Sequence, residues 1–336
     1  MSILEINNLQ VEFDTYGGTV HAVRGLDISV AKGKTLAVVG ESGCGKSVSF
    51  QAIMGLLPMP PGRITSGSAK FMGQDLLKLK DREMRKLRGS QIAMIFQDPM
   101  SSLNPTKKIG AQIAESLIIH KGMSRKDALK ESLHLLELTR IADAKKRLNQ
   151  YPFEFSGGML QRVMIAIAVA CKPQLLIADE PTTALDVTIQ DQILALLKDL
   201  QREYEMSLIL ITHDLGVVAR MADEVAVMYA GQILEQGSVD DVFYRSAHPY
   251  TLGLKQALPH SQEGKSSKLI PIDGLPPDLF SPPKACSYVS RCPMASQVCK
   301  DKAPLIFEAE EKHFSRCWLQ HPQAPPQPQL FCGDRT

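Results

Sequence analysis

The stretch Gly40-Glu41-Ser42-Gly43-Cys44-Gly45-Lys46-Ser47 decides the fold, because it fits the pattern Gly, four residues, Gly-Lys-Ser of a phosphate-binding loop. The flanking sequence agrees with this pattern. The apolar run Thr35-Leu36-Ala37-Val38-Val39 predicts a strand before the loop, and residues 48–57 predict a helix after it. The three glycines let backbone N–H groups converge on phosphate, and the helix N-terminus adds its positive dipole end. Every residue of the loop except Glu41 is therefore a predicted nucleotide contact. Lys46 would reach the terminal phosphates, and Ser47 would bind the accompanying magnesium ion.

Length and composition limit the class of protein. The 336 residues suit one large domain plus an appendage, and 44% apolar residues allow a sizeable core. A net charge of +2 gives no sign of a nucleic-acid partner. Residues 1–5 lack the start of a signal peptide, and no apolar run approaches the roughly 18 residues of a membrane helix. We expect a cytosolic chain that works at a membrane only by docking onto other chains.

Aromatic residues near the N-terminus are candidates for binding a base. Leu9–Phe13 and Leu26–Val30 alternate in a way that predicts antiparallel strands leading into the central sheet. Tyr16, beside two glycines in a predicted loop, is the first candidate for stacking on adenine, and Phe13 is the second. For Phe13, filling the core as a strand residue is an equally good interpretation.

Polar side chains follow three apolar runs that predict strands downstream of the loop. Gln97 follows the first run, Asp179 and Glu180 end the second, and His213 follows the third. Asp179 is predicted to hold magnesium through water and Glu180 to polarise the attacking water, while Gln97 could reach the magnesium and His213 the terminal phosphate. Alone, a turn glutamine or a single histidine is more often structural. The phosphate loop upstream favours the functional interpretation, most strongly for the two acids.

A helical insertion separates the first two of these runs. Residues 109–137 have helical spacing interrupted near 122–124, which predicts two helices. Ser156, Gly157 and Gly158 then precede an apolar helix predicted over 160–171, where a serine cap followed by glycines would allow a phosphate close to the helix end. Such caps are common, so this pattern alone is weak.

Together these motifs resemble the ATPase subunit of ABC transporters, in the same order, over about residues 3–255. Residues 40–47 resemble Walker A, Gln97 the Q-loop, residues 175–179 Walker B and His213 the switch histidine. Residues 155–159 resemble the signature motif but are Phe-Ser-Gly-Gly-Met, where Leu-Ser-Gly-Gly-Gln is the commonest form. The departure affects the expected contacts of Met159 and leaves the serine and glycines in place.

The resemblance implies an α/β fold: a RecA-like core with an antiparallel β-subdomain and a helical subdomain at about 98–155, together forming an ABC ATPase domain at 1–255. In that family two domains face head to tail around two ATP molecules, so Ser156, Gly157 and Gly158 would act on the partner's nucleotide. Glu180 would be the general base. The residues that position phosphate and magnesium would be Lys46, Ser47, Gln97, Asp179 and His213.

The remaining residues, 256–336, form a predicted loop-rich extension. It is rich in proline and contains Cys286, Cys292, Cys299 and Cys317. The absence of a Cys-x-x-Cys pair argues against a zinc ribbon, although zinc stays open, and Cys292-Pro293 is a weak iron–sulfur cue. Residues 248–251, 272–277 and 291–293 resemble the C-terminal region of the oligopeptide and dipeptide importer ATPases. In that family the four cysteines can hold a 4Fe–4S cluster, which we place ahead of zinc and of unligated thiols.

The leading hypothesis is therefore an ATP-hydrolysing subunit of a bacterial peptide importer. Its expected partners are a related second ATPase subunit, two membrane permeases and an extracytoplasmic solute-binding protein, and its expected location is the cytoplasmic face of the plasma membrane. Alternatives are the same machine for nickel or a glutathione-like solute, and a soluble ABC ATPase acting on DNA or ribosomes. A non-hydrolysing regulatory module would be expected to lack Glu180 or His213, and both are present.

Overall fold

This computed structural model describes residues 2–183, 185–257 and 271–325. Within those ranges the chain forms two compact units. The first is drawn from Met1–Ile3, Val30–Thr35 and Lys78–Ile211, and the second from Leu4–Ser29, Leu36–Leu77 and Thr212–Thr336. The predicted division into 1–255 and 256–336 remains a prediction, and parts of its second segment lie outside the described residues.

Strands and helices of the described residues are numbered in chain order. The strands are β1 (Ser2–Thr15), β2 (Gly18–Ala31), β3 (Thr35–Val39), β4 (Gly62–Phe71), β5 (Gln74–Asp75), β6 (Ile92–Ile95), β7 (Leu175–Asp179), β8 (Ser207–Thr212), β9 (Glu224–Tyr229), β10 (Gln232–Ser238), β11 (Phe307–Glu310) and β12 (His313–Ser315). The helices are α1 (Lys46–Ile53), α2 (Asp81–Leu87), α3 (Pro99–Ser102), α4 (Ile109–Lys121), α5 (Arg125–Leu138), α6 (Ala144–Arg147), α7 (Gly157–Val169), α8 (Val187–Tyr204), α9 (Leu215–Met221), α10 (Val239–Tyr244), α11 (Pro249–Gln256) and α12 (Gln297–Asp301).

The first unit is built on the adjacent strands β6, β7 and β8. The β6–β7 and β7–β8 pairs are parallel, and every residue of β7 is buried. Parallel strands covered on both faces have near-continuous apolar sequences, which is the pattern of these runs. Helix α7 is buried nearly all round, and α8 turns an apolar stripe inward.

The helical part of the first unit agrees with the predicted break. Helix α4 ends at Gly122, whose φ of 66° is in the left-handed region that favours glycine. Helix α5 begins after Ser124, whose side chain accepts a capping hydrogen bond from the N–H of Asp127. Two adjacent cap signals therefore separate the two predicted helices, and that prediction is confirmed.

The second unit contains two sets of strands. One is a four-stranded sheet in the order β2-β1-β4-β5, in which the β1–β4 and β4–β5 pairs are antiparallel. The other has the order β11-β12-β10-β9-β3, in which β3 is parallel to β9 and the β9–β10, β10–β12 and β11–β12 pairs are antiparallel. Strands β9 and β10 form a hairpin, and its two turn residues, Ala230 and Gly231, both have positive φ, as a two-residue hairpin requires.

One apolar cluster forms the interior of the second unit around β3, β9 and the residues after 285. Tyr229, Tyr250 and Tyr288 meet there with ring centroids 4.7 to 5.4 Å apart. Cys286 and Cys299 are members of the same cluster. Buried aromatic clusters of this kind supply a large apolar area, so residues of the C-terminal region are part of the core that supports β3.

The first helix differs from its prediction in its bounds. Helix α1 runs from Lys46 to Ile53, whereas 48–57 was the sequence-based expectation. It begins within the phosphate loop because the loop glycines lead directly into helical geometry. It ends early because Gly55 takes a φ of 59°, which terminates a helix.

Candidate nucleotide-binding site

The phosphate loop joins β3 to α1 in the second unit, and two of its glycines are required by space as well as by conformation. Gly40 and Gly45 have φ values of 155° and 101°. A Cβ at Gly40 would lie 2.1 Å from the carbonyl oxygen of Met228, and one at Gly45 would lie 2.4 Å from that of Ala22. No side chain fits at either position. The loop backbone is therefore packed against the neighbouring strands.

Lys46 lies inside the curve of this loop. Its side chain is 5% exposed, and Nζ donates hydrogen bonds to the carbonyl oxygens of Gly40 at 2.8 Å and Glu41 at 3.0 Å. These two acceptors hold the buried ammonium against the backbone of the loop. Ser47 is half-buried in the first turn of α1. The arrangement presents a fixed cation and a helix N-terminus together, which suits a polyphosphate.

Cys44 has the properties of an ordinary thiol. It is buried, and burial raises its pKa although Lys46 nearby acts in the opposite direction. A raised pKa keeps the thiol protonated at neutral pH, and a protonated thiol is a poor nucleophile. The remaining loop positions Ser42 and Gly43 are exposed.

The two candidate base-stacking residues differ in exposure. Tyr16 lies in the turn between β1 and β2 and is fully exposed, at 114% of its reference area. Phe13 is half-buried in β1, opposite Gly62, and its ring lies 3.2 Å from where a Cβ of that glycine would be. The face of Tyr16 is therefore open to a planar ligand.

In the first unit, the structure brings Gln97 and Glu180 together. Gln97 Nε2 donates to Glu180 Oε2 at 3.0 Å, and Thr183 Oγ1 donates to the same oxygen at 2.8 Å. The backbone N–H of Glu180 donates to the carbonyl of Ile211 at 2.9 Å. Glu180 also has a φ of 46°, a left-handed conformation that costs a non-glycine residue of the order of 1–3 kcal/mol. Its carboxylate is held in one orientation at some cost.

Asp179 is the last residue of β7, and only 2% of it is exposed. Open α/β sheets bind ligands at the carboxyl ends of their parallel strands. A carboxylate at such a strand end is a hard oxygen donor of the kind that Mg²⁺ prefers. The donor chemistry of Asp179 and Ser47 therefore fits a magnesium ion.

Ser156 is the exposed N-cap residue of α7, and Gly157 and Gly158 form the first turn of that helix. A Cβ at Gly158 would lie 2.8 Å from Cγ2 of Ile189, so the helix start approaches α8 too closely for a side chain. In the second unit, His213 follows β8 and is exposed. Asp214 beside it caps α9, because its side chain accepts from two N–H groups of that helix.

The four cysteines of the C-terminal region lie in the second unit. Cys286, Cys299 and Cys317 are buried and Cys292 is half-buried. Burial, with a smaller contribution from neighbouring thiols of the set, raises the pKa of Cys292 to about 11 and that of Cys317 to about 12. Among the described residues, however, no group of three or more His, Cys, Asp or Glu side chains is placed to hold a metal ion. The predicted cluster has suitable donors, but their arrangement here is not a metal site.

One set of contacts at the loop was not predicted. The backbone N–H of Glu41 donates to Tyr250 Oη at 3.1 Å, and the Glu41 carboxylate pairs with Arg291 at 2.8 Å. Tyr250 and Arg291 belong to two of the sequence motifs that resemble the importer C-terminal region. No local signal links Tyr250 and Arg291 to Glu41, which lies 209 and 250 positions away from them. The helices that the structure describes include none with the length and apolarity to cross a membrane.

Comparisons with known proteins agree with this geometry. A family model described as "ABC transporter" matches residues 23–183, and one described as "Oligopeptide/dipeptide transporter, C-terminal region" matches residues 234–299. The dipeptide transport ATP-binding protein DppD of Bacillus subtilis is 54% identical over 322 residues, which cover 96% of each chain. The oligopeptide transport ATP-binding protein OppD of Salmonella typhimurium is 51% identical over 303 residues, covering 90% of each.

Among solved structures, the dimeric ATP-binding cassette MJ0796 bound to ADP and Pi is 26% identical, with a TM-score of 0.63 over 70% of this chain and 98% of its own. The predicted ABC ATPase fold is thereby confirmed. One polypeptide therefore carries the phosphate loop, the strand β7 that ends at Asp179, and the C-terminal match. The chain belongs to the ATP-binding proteins of ABC transporters, in the group that carries the oligopeptide/dipeptide transporter C-terminal region.

Proposed function

We propose that this chain is the ATP-hydrolysing subunit of a bacterial importer for dipeptides or oligopeptides. The observation that carries the proposal is the match of residues 234–299 to the C-terminal region of the peptide transporters. It is supported by relatives that bear dipeptide and oligopeptide transport names and align over nearly the whole of both chains. The runner-up is the same ATPase serving a nickel or glutathione-like importer.

We propose that this chain binds Mg-ATP through the residues of its sequence motifs. Tyr16 stacks on adenine, the phosphate loop holds the phosphates, and Lys46 neutralises the terminal ones. Ser47, Gln97 and Asp179 would hold the magnesium ion, whose charge would offset that of the phosphates. The buried ammonium of Lys46 and the buried carboxylate of Asp179 support these roles.

Glu180 acts as the general base in this proposal. It takes a proton from the water that attacks the terminal phosphorus, and ADP leaves as the bond to that phosphorus breaks. The two hydrogen bonds to Oε2 support a fixed orientation of this carboxylate. His213 contacts the terminal phosphate. Ser156 acts on the nucleotide of a second subunit, as the exposed start of α7 would allow.

The partners of the importer follow from the same proposal. They are a related second ATPase subunit, two membrane permeases and an extracytoplasmic solute-binding protein. The chain would sit on the cytoplasmic face of the plasma membrane, attached through the permeases. Since ATP-driven closure of the dimer has to reach the permeases, the helical part at about 98–155 is the expected contact.

Uptake into proteoliposomes tests the substrate. The assembled importer is reconstituted with its permeases and binding protein, and uptake of labelled peptide, nickel and glutathione is measured with enclosed ATP and with a non-hydrolysable analogue. We expect ATP-dependent uptake of peptide alone. Uptake of nickel or glutathione without peptide would replace the leading proposal with its runner-up, and co-purification of ribosomes or DNA instead of permeases would overturn both.

We further propose that Cys286, Cys292, Cys299 and Cys317 bind a 4Fe–4S cluster, ahead of zinc and of unligated thiols. The support is a set of four cysteines, the number that such a cluster takes: Cys286, Cys292 and Cys299 belong to or pack against one apolar cluster, and Cys317 interacts electrostatically with all three. Since the described side chains form no group placed for a metal ion, the four sulfur atoms would have to converge when the cluster binds. No step of ATP hydrolysis depends on this group.

Elemental analysis after anaerobic purification tests the cluster. We expect about four irons with matching sulfide per chain, and loss of both in Cys292→Ser. Cys171→Ser is the matched control, because Cys171 is also buried but lies outside the set. One zinc ion per chain would replace the cluster with a structural zinc site. Protein without metal would show that the four cysteines are unligated thiols.

A further inference from the structure

Glu41, the second residue of the phosphate loop, is held at three points. Its N–H donates to Tyr250 Oη at 3.1 Å, its carbonyl accepts from Lys46 Nζ at 3.0 Å, and its carboxylate pairs with Arg291 at 2.8 Å. Two of these three partners come from beyond residue 248. The first turn of the loop is therefore bonded to the C-terminal part of the second unit through both backbone and side chain.

Arg291 is itself fixed in place. Its side chain is 5% exposed, and its guanidinium lies 5.7 Å from the centre of the Tyr229 ring and donates to that hydroxyl at 3.3 Å. Nε donates to the carbonyl of Asp273 at 3.0 Å and a terminal nitrogen to that of Ile272 at 3.3 Å. A planar guanidinium with this many partners is held in one orientation. A further N–H group therefore points at Glu41 without additional loss of side-chain freedom.

The ion pair between Glu41 and Arg291 affects the charge that a phosphate ligand would meet at the loop. The Glu41 side chain is 26% exposed and stands one residue after Gly40, at the start of a loop built for phosphate. An unpaired carboxylate there would repel a polyphosphate, and charges that are partly buried are screened less than surface charges. The ion pair with Arg291 neutralises the carboxylate, and the Tyr250 bond fixes the adjoining peptide.

We propose that Arg291 is a positioning residue for the phosphate loop: it neutralises the Glu41 carboxylate and so keeps that charge from repelling phosphate, so that the C-terminal region sets the affinity for polyphosphate. The inference rests on the proposed role of this loop in binding ATP. It assigns a second task to the C-terminal region besides any metal binding, and it does not depend on a metal being present.

The test is equilibrium titration of the full chain with Mg-ATP, inorganic tripolyphosphate and adenosine. For Arg291→Ala we expect about tenfold weaker binding of both ATP and tripolyphosphate, roughly the worth of one charge-assisted hydrogen bond, with adenosine binding unchanged. Arg291→Lys keeps the charge but loses the planar guanidinium with its several N–H donors, so we expect an intermediate loss of affinity for ATP and tripolyphosphate. The matched control is Arg245→Ala, because Arg245 pairs with Asp241 and Glu310 in the same unit.

Removing the carboxylate separates this role from a merely structural one. We expect Arg291→Ala/Glu41→Gln to recover most of the lost affinity, since the repelling charge is gone, and Glu41→Gln alone to bind nearly as well as wild type. Equal affinities in wild type and Arg291→Ala, or an unrescued loss in the double variant, would overturn the inference. Wild-type protein that fails to bind Mg-ATP would instead overturn the proposed function.

Discussion

The phosphate loop at 40–47 and the four cysteines between 286 and 317 are both predicted from short patterns, yet they differ in what carries their chemistry. In the loop, backbone N–H groups and one buried ammonium are already in place, and the glycines that allow this are enforced by neighbouring carbonyls. In the cysteine region the donors are side chains, and those that the structure describes are not arranged as a metal site. A backbone site is complete once the chain folds, whereas a side-chain metal site can need its ion to assemble.

The largest expected effect follows from the spatial demand on the loop glycines. In Gly45→Ala, the new Cβ would lie 2.4 Å from the carbonyl oxygen of Ala22, and φ is 101°. We expect a loss of about 3 kcal/mol or more in the free energy of unfolding, measured by urea denaturation, together with lost nucleotide binding.

Gly43→Ala is the matched control for that variant. It shares a positive φ of 78°, but nothing lies within 4 Å of its new Cβ, so conformational strain alone should cost about 1 kcal/mol. Equal losses in the two variants would show that strain rather than packing against the strands constrains the loop.

A smaller effect concerns pH and the interior shared by Tyr250 and the cysteine region. His248 is buried, accepts a hydrogen bond from the N–H of Tyr250 at Nδ1, and lies 5.7 Å from the Tyr288 ring. Burial lowers the pKa of His248 to about 3 from its ordinary 6.5. Protons then bind the unfolded chain more readily, so stability is full above pH 6.5 and falls toward pH 3, by about 1.4 kcal/mol per pH unit.

His248→Asn keeps a capping acceptor and removes this titration. The difference between wild type and variant isolates His248 from neighbouring groups such as Glu235, whose carboxylate accepts the His248 N–H and contacts His313. We expect wild type to lose about 2 kcal/mol more than the variant between pH 6.5 and 5, by urea denaturation. Parallel curves would show that His248 is not kept neutral by burial.

The smallest effect compares one cysteine from each region. In Cys286→Ser, a hydroxyl replaces a buried thiol within an apolar cluster, and we expect a loss of about 1–2 kcal/mol in metal-free protein. In Cys44→Ser the hydroxyl has a donor nearby, because Lys46 Nζ already donates to the present sulfur at 3.8 Å. The free energy of unfolding, measured by urea denaturation, should therefore fall less in Cys44→Ser than in Cys286→Ser. A larger loss in Cys44→Ser would contradict this expectation.

What sequence could predict here was local. Residues 35–39 are a strand with the predicted bounds, and the helices flanking 122–124 were recognisable because cap residues lie beside the apolar periodicity. The short helix α3 was missed, although Asp98 caps it and Pro99 begins it, a usual helix-start signal.

The rest depended on contacts between distant residues. The ion pair of Glu41 with Arg291 joins positions 250 apart, and no periodicity or spacing reports such a contact. The hydrogen bond from Gln97 to Glu180 spans 83 positions, so no local pattern could predict that the proposed general base contacts this glutamine. The arrangement of four thiols depends on side-chain positions, which their spacing along the chain does not determine.

The most direct test of the account is Glu180→Gln in the assembled ATPase. Glutamine keeps the shape of the side chain but cannot accept the proton, so we expect kcat for ATP hydrolysis to fall by roughly 10²- to 10⁴-fold, while Mg-ATP binds with nearly unchanged affinity. Hydrolysis close to the wild-type rate would remove Glu180 from its proposed role, and loss of Mg-ATP binding would show that its carboxylate holds the nucleotide rather than the attacking water.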